Sequence, residues 1–232
     1  TFKFVTKMIA LQHNLHATFM PKPIYGEAGS GMHVHQSLFK DDKNIFADED
    51  DELGLSEEAY YYIGGILKHA PAFTAITNPT INSYKRMVPG YEAPVYISWS
   101  TQNRSALVRV PSSRGIGTRL EVRSPDPSSN PYLAMAVMFK AGLDGIKNKI
   151  EPEEQETENI FEMSSKKLNK KGIDVLPKNI MEAIDELKND EVIRDVLGEH
   201  AFQHFVEAKK IEWEEYRTRV HQWELDRYLN NY

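Results

Sequence analysis

The sequence predicts an α+β domain: a curved antiparallel sheet with flanking helices, followed by a helical C-terminal tail. Three observations carry that expectation. Between residues 82 and 126, short segments alternate polar and apolar side chains with a period of two. Residues 130–149 form one long, almost wholly apolar stretch opened by Asn130-Pro131, the start signal of a buried helix. Beyond residue 151 apolar side chains return every three or four positions, as in amphipathic helices.

The elements follow in order. Phe2, Val5, Met8 and Ile9 recur at helical spacing, so the first residues read as a helix entered without a capping residue, which suggests a chain that begins inside an element. HATFMPKP reads as a strand ending at Pro21 and Pro23. The glycine-rich loop 26–31 comes next, then MHVHQSLF as a second strand with His33, His35 and Ser37 on one face. Residues 41–55 are acidic and read as a solvated loop. Ser56 caps a helix with Glu57 and Glu58 in its first turn, running to Pro71, and a second short helix extends to Asn78-Pro79. His69 reads as a dipole partner near that helix end.

In the centre, VYISWS, SALVRVP and TRLEVR read as strands separated by turn residues. In TRLEVR, Leu120 and Val122 point one way while Arg119, Glu121 and Arg123 point the other. After residue 158 the sequence suggests KNIMEAIDELKND, EVIRDVLGEH and a long run from Glu199 to about Leu229 as helices. His200 and His204 lie one turn apart, but without a third ligand at zinc spacing an exposed helical face is the simpler reading. Residues 1–150 read as the sheet-bearing core, and residues 151–232 as a helical C-terminal region of the same domain.

Composition narrows the function classes. Cysteine is absent, which removes disulfide and thiol chemistry. No signal peptide opens the sequence and no apolar run approaches bilayer length, so a cytoplasmic protein without a membrane partner is expected. Residues 1–150 carry 16 basic and 14 acidic side chains, and residues 151–232 carry 12 and 20. A tail with net charge −8 argues against nucleic acid as a partner.

Against that acidity, residues 82–126 hold seven cations (Lys85, Arg86, Arg104, Arg109, Arg114, Arg119, Arg123) and three acids (Glu92, Glu121, Asp126). Scattered charges usually form solvated ion pairs. Here arginines outnumber carboxylates, and arginine's planar fork suits carboxylate and phosphate, so the face points to an anionic ligand. The histidine pair His33 and His35 is open to two readings from the residues alone, as metal or phosphate ligands or as ordinary hydrogen-bonded histidines.

The strings NSYKRMVPGYEAP, NRSALVRVP and TRLEVRSPDPSSNPYLAMAVMFKAGLDGIKNKI closely resemble the catalytic domain of type I glutamine synthetase, as does Ala28-Gly-Ser-Gly-Met-His33 after Lys22-Pro23. The resemblance implies the glutamine synthetase/guanido kinase-like fold, with an N-terminal β-grasp domain and first strands preceding this chain. It implies ATP-dependent ligation of L-glutamate and ammonia through a γ-glutamyl phosphate, with Mg²⁺ (or Mn²⁺) as cofactor and ATP as co-substrate. By resemblance His33 and Glu121 hold the metal. Gly29, Arg86, Glu92, Arg104 and Arg123 contact glutamate, and His35, Gln36, Ser37, Arg109 and Arg119 contact ATP. Arg104, Glu92 and Arg123 are the residues it places nearest the chemistry, Glu92 on a flap over the substrate.

It also implies a homo-oligomer, a dodecamer in the full-length family, and an isolated chain without activity. Ala28 and Ile116 depart from residues found in some relatives, Asn and Lys. Phe161 stands where some relatives are adenylylated on tyrosine, so no such control is expected. Two alternatives remain: a γ-glutamyl polyamine or amine ligase of the same superfamily, and a non-catalytic scaffold domain.

Overall fold

The computed structural model describes residues 1–91 and 93–231, with the backbone alone at 165 and 169. Helix α1 (Phe2–Gln12) is followed by strand β1 (Val34–Gln36) and a small hairpin of β2 (Phe39–Lys40) and β3 (Lys43–Asn44). Helices α2 (Glu57–Thr77) and α3 (Ile81–Arg86) lead into β4 (Tyr96–Ser100), β5 (Ala106–Arg109) and β6 (Leu120–Val122). The helices α4 (Pro131–Asn148), α5 (Ser165–Lys170), α6 (Ile180–Asn189), α7 (Glu191–Arg217) and α8 (Gln222–Tyr228) complete the chain.

The α+β class is as expected, but the sheet is mixed. Its order is β1-β6-β5-β4, with β6 antiparallel to both neighbours and β4 parallel to β5. Parallel neighbours ordinarily need a long crossover. Here residues 101–105 suffice, because side chains fold the return. Ser100 Oγ accepts from the amides of Gln102 and Asn103, and Asn103 Oδ1 accepts from Ser105. Such local bonds replace a backbone turn.

Three further expectations are corrected. HATFMPKP forms no strand; prolines 21 and 23 lack the donors a ladder needs. The second strand is only three residues long and gives way to the β2–β3 hairpin. Pro71 does not end a helix: α2 runs through it for 21 residues. A helix-interior proline costs about 3 kcal/mol. Tyr62, Ile63 and Ile66 before it, and Phe73, Ala75 and Ile76 after it, are buried in one core, and that shared burial offsets the cost.

The core lies between the sheet's apolar face and the helices. Val108, Leu120 and Val122 meet α2 and α4, and Ile180, Ala183, Ile184 and Leu187 of α6 and Ile193 of α7 join the same cluster. Glycines let α2 and α4 touch backbone to backbone. A Cβ on Gly65 would lie 2.2 Å from the carbonyl oxygen of Ala141, and one on Gly145 only 2.0 Å from that of Tyr61. Helix α7 contains a break at Gly198 (φ 67°, ψ 158°), where the sequence suggests two helices. Residues 151–156 are strapped to β4: Trp99 Nε1 donates to Glu153 O at 2.7 Å, and the Glu156 amide to Trp99 O at 2.9 Å. Among the described residues no helix is long and apolar enough to cross a membrane.

Candidate active site

The face of the sheet turned away from the helices carries the charges. Register places His35 and Arg109 on either side of Glu121, all three on one face of the pleat. Glu121 is the hub. Its Oε1 lies 2.8 Å from His33 Nδ1 and accepts from Arg123 Nη1 at 3.0 Å. Its Oε2 is 2.7 Å from Arg109 Nη2 but, though buried, receives no aligned hydrogen bond. The carboxylate is almost wholly buried (3% exposed), and Arg123 likewise (4%).

Arg86 reaches the same place from α3. Its buried guanidinium donates to Ser124 O at 2.8 Å and to Arg123 O at 3.3 Å, both backbone carbonyls. Burial lowers its pKa, with Asp126 opposing and Arg123 reinforcing that trend. Asn78 buttresses the arrangement by donating to Ser124 O and to the buried Asp126 carboxylate. Arg119 donates to His35 Nδ1 at 3.3 Å and to Gly117 O. Arg104 is exposed on the 101–105 turn. Arg114 serves the backbone instead, donating to the carbonyls of Leu53, Pro111 and Ser113.

A cavity of about 390 Å³ opens over the cluster, lined by Gly29, Gly31, His33, Arg86, Tyr91, Ala93 and Arg123. Glycine is required at position 29, since a Cβ there would lie 2.5 Å from the backbone oxygen of Pro21. The structure thus gathers Gly29, His33, Arg86 and Arg123 around one cavity, with Glu121 and Arg109 beneath and His35 and Arg119 beside it. It sets Gln36 apart: that side chain faces the helices, where Tyr62 donates to Gln36 Oε1 at 2.6 Å. Ser37 is exposed past the end of β1, and Glu92 lies outside the described residues. Tyr91 and Gly31, which lie within the quoted motifs but have no role assigned there, also line the cavity.

The cluster fits a divalent cation in part. Burial first, then the Arg123 charge, lowers the His33 pKa, against the pull of Glu121. The neutral imidazole that results has a nitrogen lone pair to give. With Glu121 Oε2, which Arg109 faces without an aligned hydrogen bond, that makes two donors. Among the described residues no group of three or more His, Cys, Asp or Glu could hold a metal. Hard cations take six or more oxygen-rich ligands, so most must come from elsewhere.

Known proteins match along the whole chain. The family model described as "Glutamine synthetase, catalytic domain" covers residues 1–228. Glutamine synthetase of Thermotoga maritima is 62% identical over 99% of this chain and 52% of its own length. That of Methanosarcina mazei is 59% identical over the same shares. Among solved structures, a GmaS in complex with ADP superposes with a TM-score of 0.87 at 37% identity, over 99% of this chain and 53% of its own. The chain spans about half the length of the curated relatives it matches. On this evidence the chain belongs to the glutamine synthetase catalytic-domain family.

Proposed function

We propose that this chain supplies the glutamate pocket and part of the ATP and metal sites of an ATP-dependent glutamate–ammonia ligase. The observation that carries the reading is the lining of the 390 Å³ cavity: among the described residues it holds Arg86, Arg123 and His33 and no carboxylate, while the buried Glu121 and Asp126 lie outside it. Buried guanidinium groups in such number favour an anion. The 54–62% identity to proteins named glutamine synthetase favours ammonia over an amine as the acceptor.

Amide formation from a carboxylate needs a better leaving group than oxide. A γ-carboxylate oxygen of glutamate attacks the terminal phosphorus of ATP, and ADP departs. Ammonia then attacks the acyl carbon, loses a proton, and phosphate leaves. In this reading Arg86 and Arg123 fix the carboxylates of glutamate, and Gly29 offers its backbone. Arg109 and Arg119, with His35 and Ser37, face the nucleotide, and Arg104 meets the transferring phosphoryl group. Glu92 shields the acyl phosphate from water, which would otherwise hydrolyse it. His33 and Glu121 would hold Mg²⁺ or Mn²⁺, which neutralises phosphate charge as the phosphoryl group moves. Gln36 has no part through its side chain. The acceptor site, the remaining metal ligands and an oligomer like that of the full-length family come from outside these residues.

The test is a γ-glutamyl transfer assay of this chain, alone and joined to the half of its relatives that it does not span. The expected result is no turnover alone and turnover when joined. Robust turnover by the 232 residues alone would show that the count of metal ligands is wrong.

A further inference from the structure

A buried lysine in contact with the cavity's Tyr91 is left idle by the reaction scheme. Lys22 is 9% exposed, and its Nζ sits over the Tyr91 ring, 3.7 Å from the centroid. The same ammonium donates to the carbonyl of Glu27 in the glycine-rich loop. Its backbone is clamped: the Lys22 amide donates to Asn82 Oδ1 at 2.7 Å, and Asn82 Nδ2 donates to Lys22 O at 3.0 Å. Asn82 belongs to α3, the helix that carries Arg86 into the cavity. One step back, the Ser30 amide donates to Pro21 O at 2.8 Å, and a Cβ on Gly29 would lie 2.5 Å from that oxygen.

Lys22 therefore touches both sides of the cavity. Through Glu27 it holds the loop that ends in Gly29 and Gly31, and through the ring it holds Tyr91 on the facing wall. A desolvated ammonium over an aromatic face is a directional attraction, strong enough to select one ring position. Gly90, directly before Tyr91, takes the left-handed conformation (φ +93°) that favours glycine.

We propose that Lys22 is a positioning residue: by gripping Tyr91 it sets the width of the cavity at its glutamate end. The inference rests on the glutamate-pocket reading above. It differs from a plain loop staple, which would hold residues 21–31 without regard to the ring. The pair, and not either residue alone, should then determine the requirement for glutamate.

The experiment takes the full protein that carries this chain and compares Lys22→Met, Tyr91→Leu, the double variant and Tyr91→Phe. Each single loss should raise the glutamate KM about tenfold and leave the ATP KM unchanged. The double variant should be no worse than the worse single, and Tyr91→Phe should behave as wild type because it keeps the ring. Independently of activity, amide hydrogen exchange in the peptide spanning Val88–Tyr91 should quicken in Lys22→Met without any ligand. Unchanged exchange, additive effects of the two losses, or equal effects on both substrates would overturn the inference. Wild-type protein inert toward glutamate, with exchange still quickened, would instead count against the glutamate reading and leave the Lys22–Tyr91 grip standing. Tyr91 is only half-buried, so its variants keep the test open if Lys22→Met fails to fold.

Discussion

Two buried charge clusters, one in the helical layer and one on the open sheet face, use similar residues to different ends. In the helices, His69 is 3% exposed between Asp190 and Asp144, with Nδ1 2.5 Å from Asp190 Oδ2 and Nε2 3.0 Å from Asp144 Oδ2. Both ring nitrogens face carboxylates, which only the doubly protonated ring can satisfy. Lys68, 3.8 Å from Asp144, is the further cation there. On the sheet, among the described residues, Arg109, Arg123 and the nearby Arg86 stand against two carboxylates, Glu121 and Asp126, with His33 beside Glu121. The first cluster is closed, every charge answered from within α2, α4 and the α6–α7 junction. The second is cation-rich and opens on a cavity. Closure marks a structural tie, whereas an excess of one sign beside an opening marks a place for a ligand.

The comparison breaks most sharply at Glu121. Glu121→Ala in the full protein should cost about two to three orders of magnitude in kcat, as for loss of a key electrostatic group. It should also lower Tm, because Arg109 and Arg123 lose their shared counter-charge. A smaller but more selective effect is expected from Arg123→Lys, which keeps the charge and loses the fork. The glutamate requirement should rise about ten- to a hundredfold, the worth of a charged hydrogen bond, with the ATP requirement little changed. Equal effects on both substrates would place Arg123 in a purely structural network with Glu121.

His69→Gln should show the opposite pattern. It leaves two buried carboxylates without their cation and should cost about 3 kcal/mol of stability, with ligand requirements unchanged. Its pH dependence is specific. Burial opposes the charged ring, but the bonds to Asp190 and Asp144 outweigh it and raise the His69 pKa. The stability it contributes is full below the unfolded histidine value and is lost as pH rises through the raised folded value. Asp190 works the other way: despite burial, its bonds to His69 and the Ile193 amide lower its pKa. Its contribution is present above the unfolded aspartate value and lost as pH falls through the folded one. Thermal melts of wild type should therefore decline toward alkaline pH, and those of His69→Gln should decline less. The smallest effect belongs to the exposed pair Arg217–Glu214 on α7. Glu214→Ala should shift Tm by no resolvable amount, since exposed helical pairs are solvent-screened.

How much of this the residues disclosed depended on what kind of signal each site left. The alternation in TRLEVR put Arg119, Glu121 and Arg123 on one face, and the strand does so. His33 likewise shares that face with His35. The family resemblance groups Gln36 with the ATP contacts, yet a period of two turns its side chain away from His35 and toward Tyr62. The parallel β4–β5 pairing was hidden because its signal is not periodicity but two side-chain turns at Ser100 and Asn103. Pro71 was misjudged because local propensity ignores burial shared on both sides of it. His69 reads in the sequence as a dipole partner near a helix end, but α2 continues to Thr77, and its actual partners stand 75 and 121 residues away, where only folding brings them together.

The central claim is that the sheet-face cations bind the anionic substrates while the His69 cluster only holds the fold. Calorimetric titration of glutamate and of ATP·Mg²⁺ against the full protein, its Arg86→Ala variant and its His69→Gln variant tests it most directly. Glutamate should bind wild type and His69→Gln and be lost in Arg86→Ala, with ATP·Mg²⁺ binding kept in all three. Undiminished glutamate affinity in a folded Arg86→Ala variant, or its loss in a folded His69→Gln variant, would contradict it.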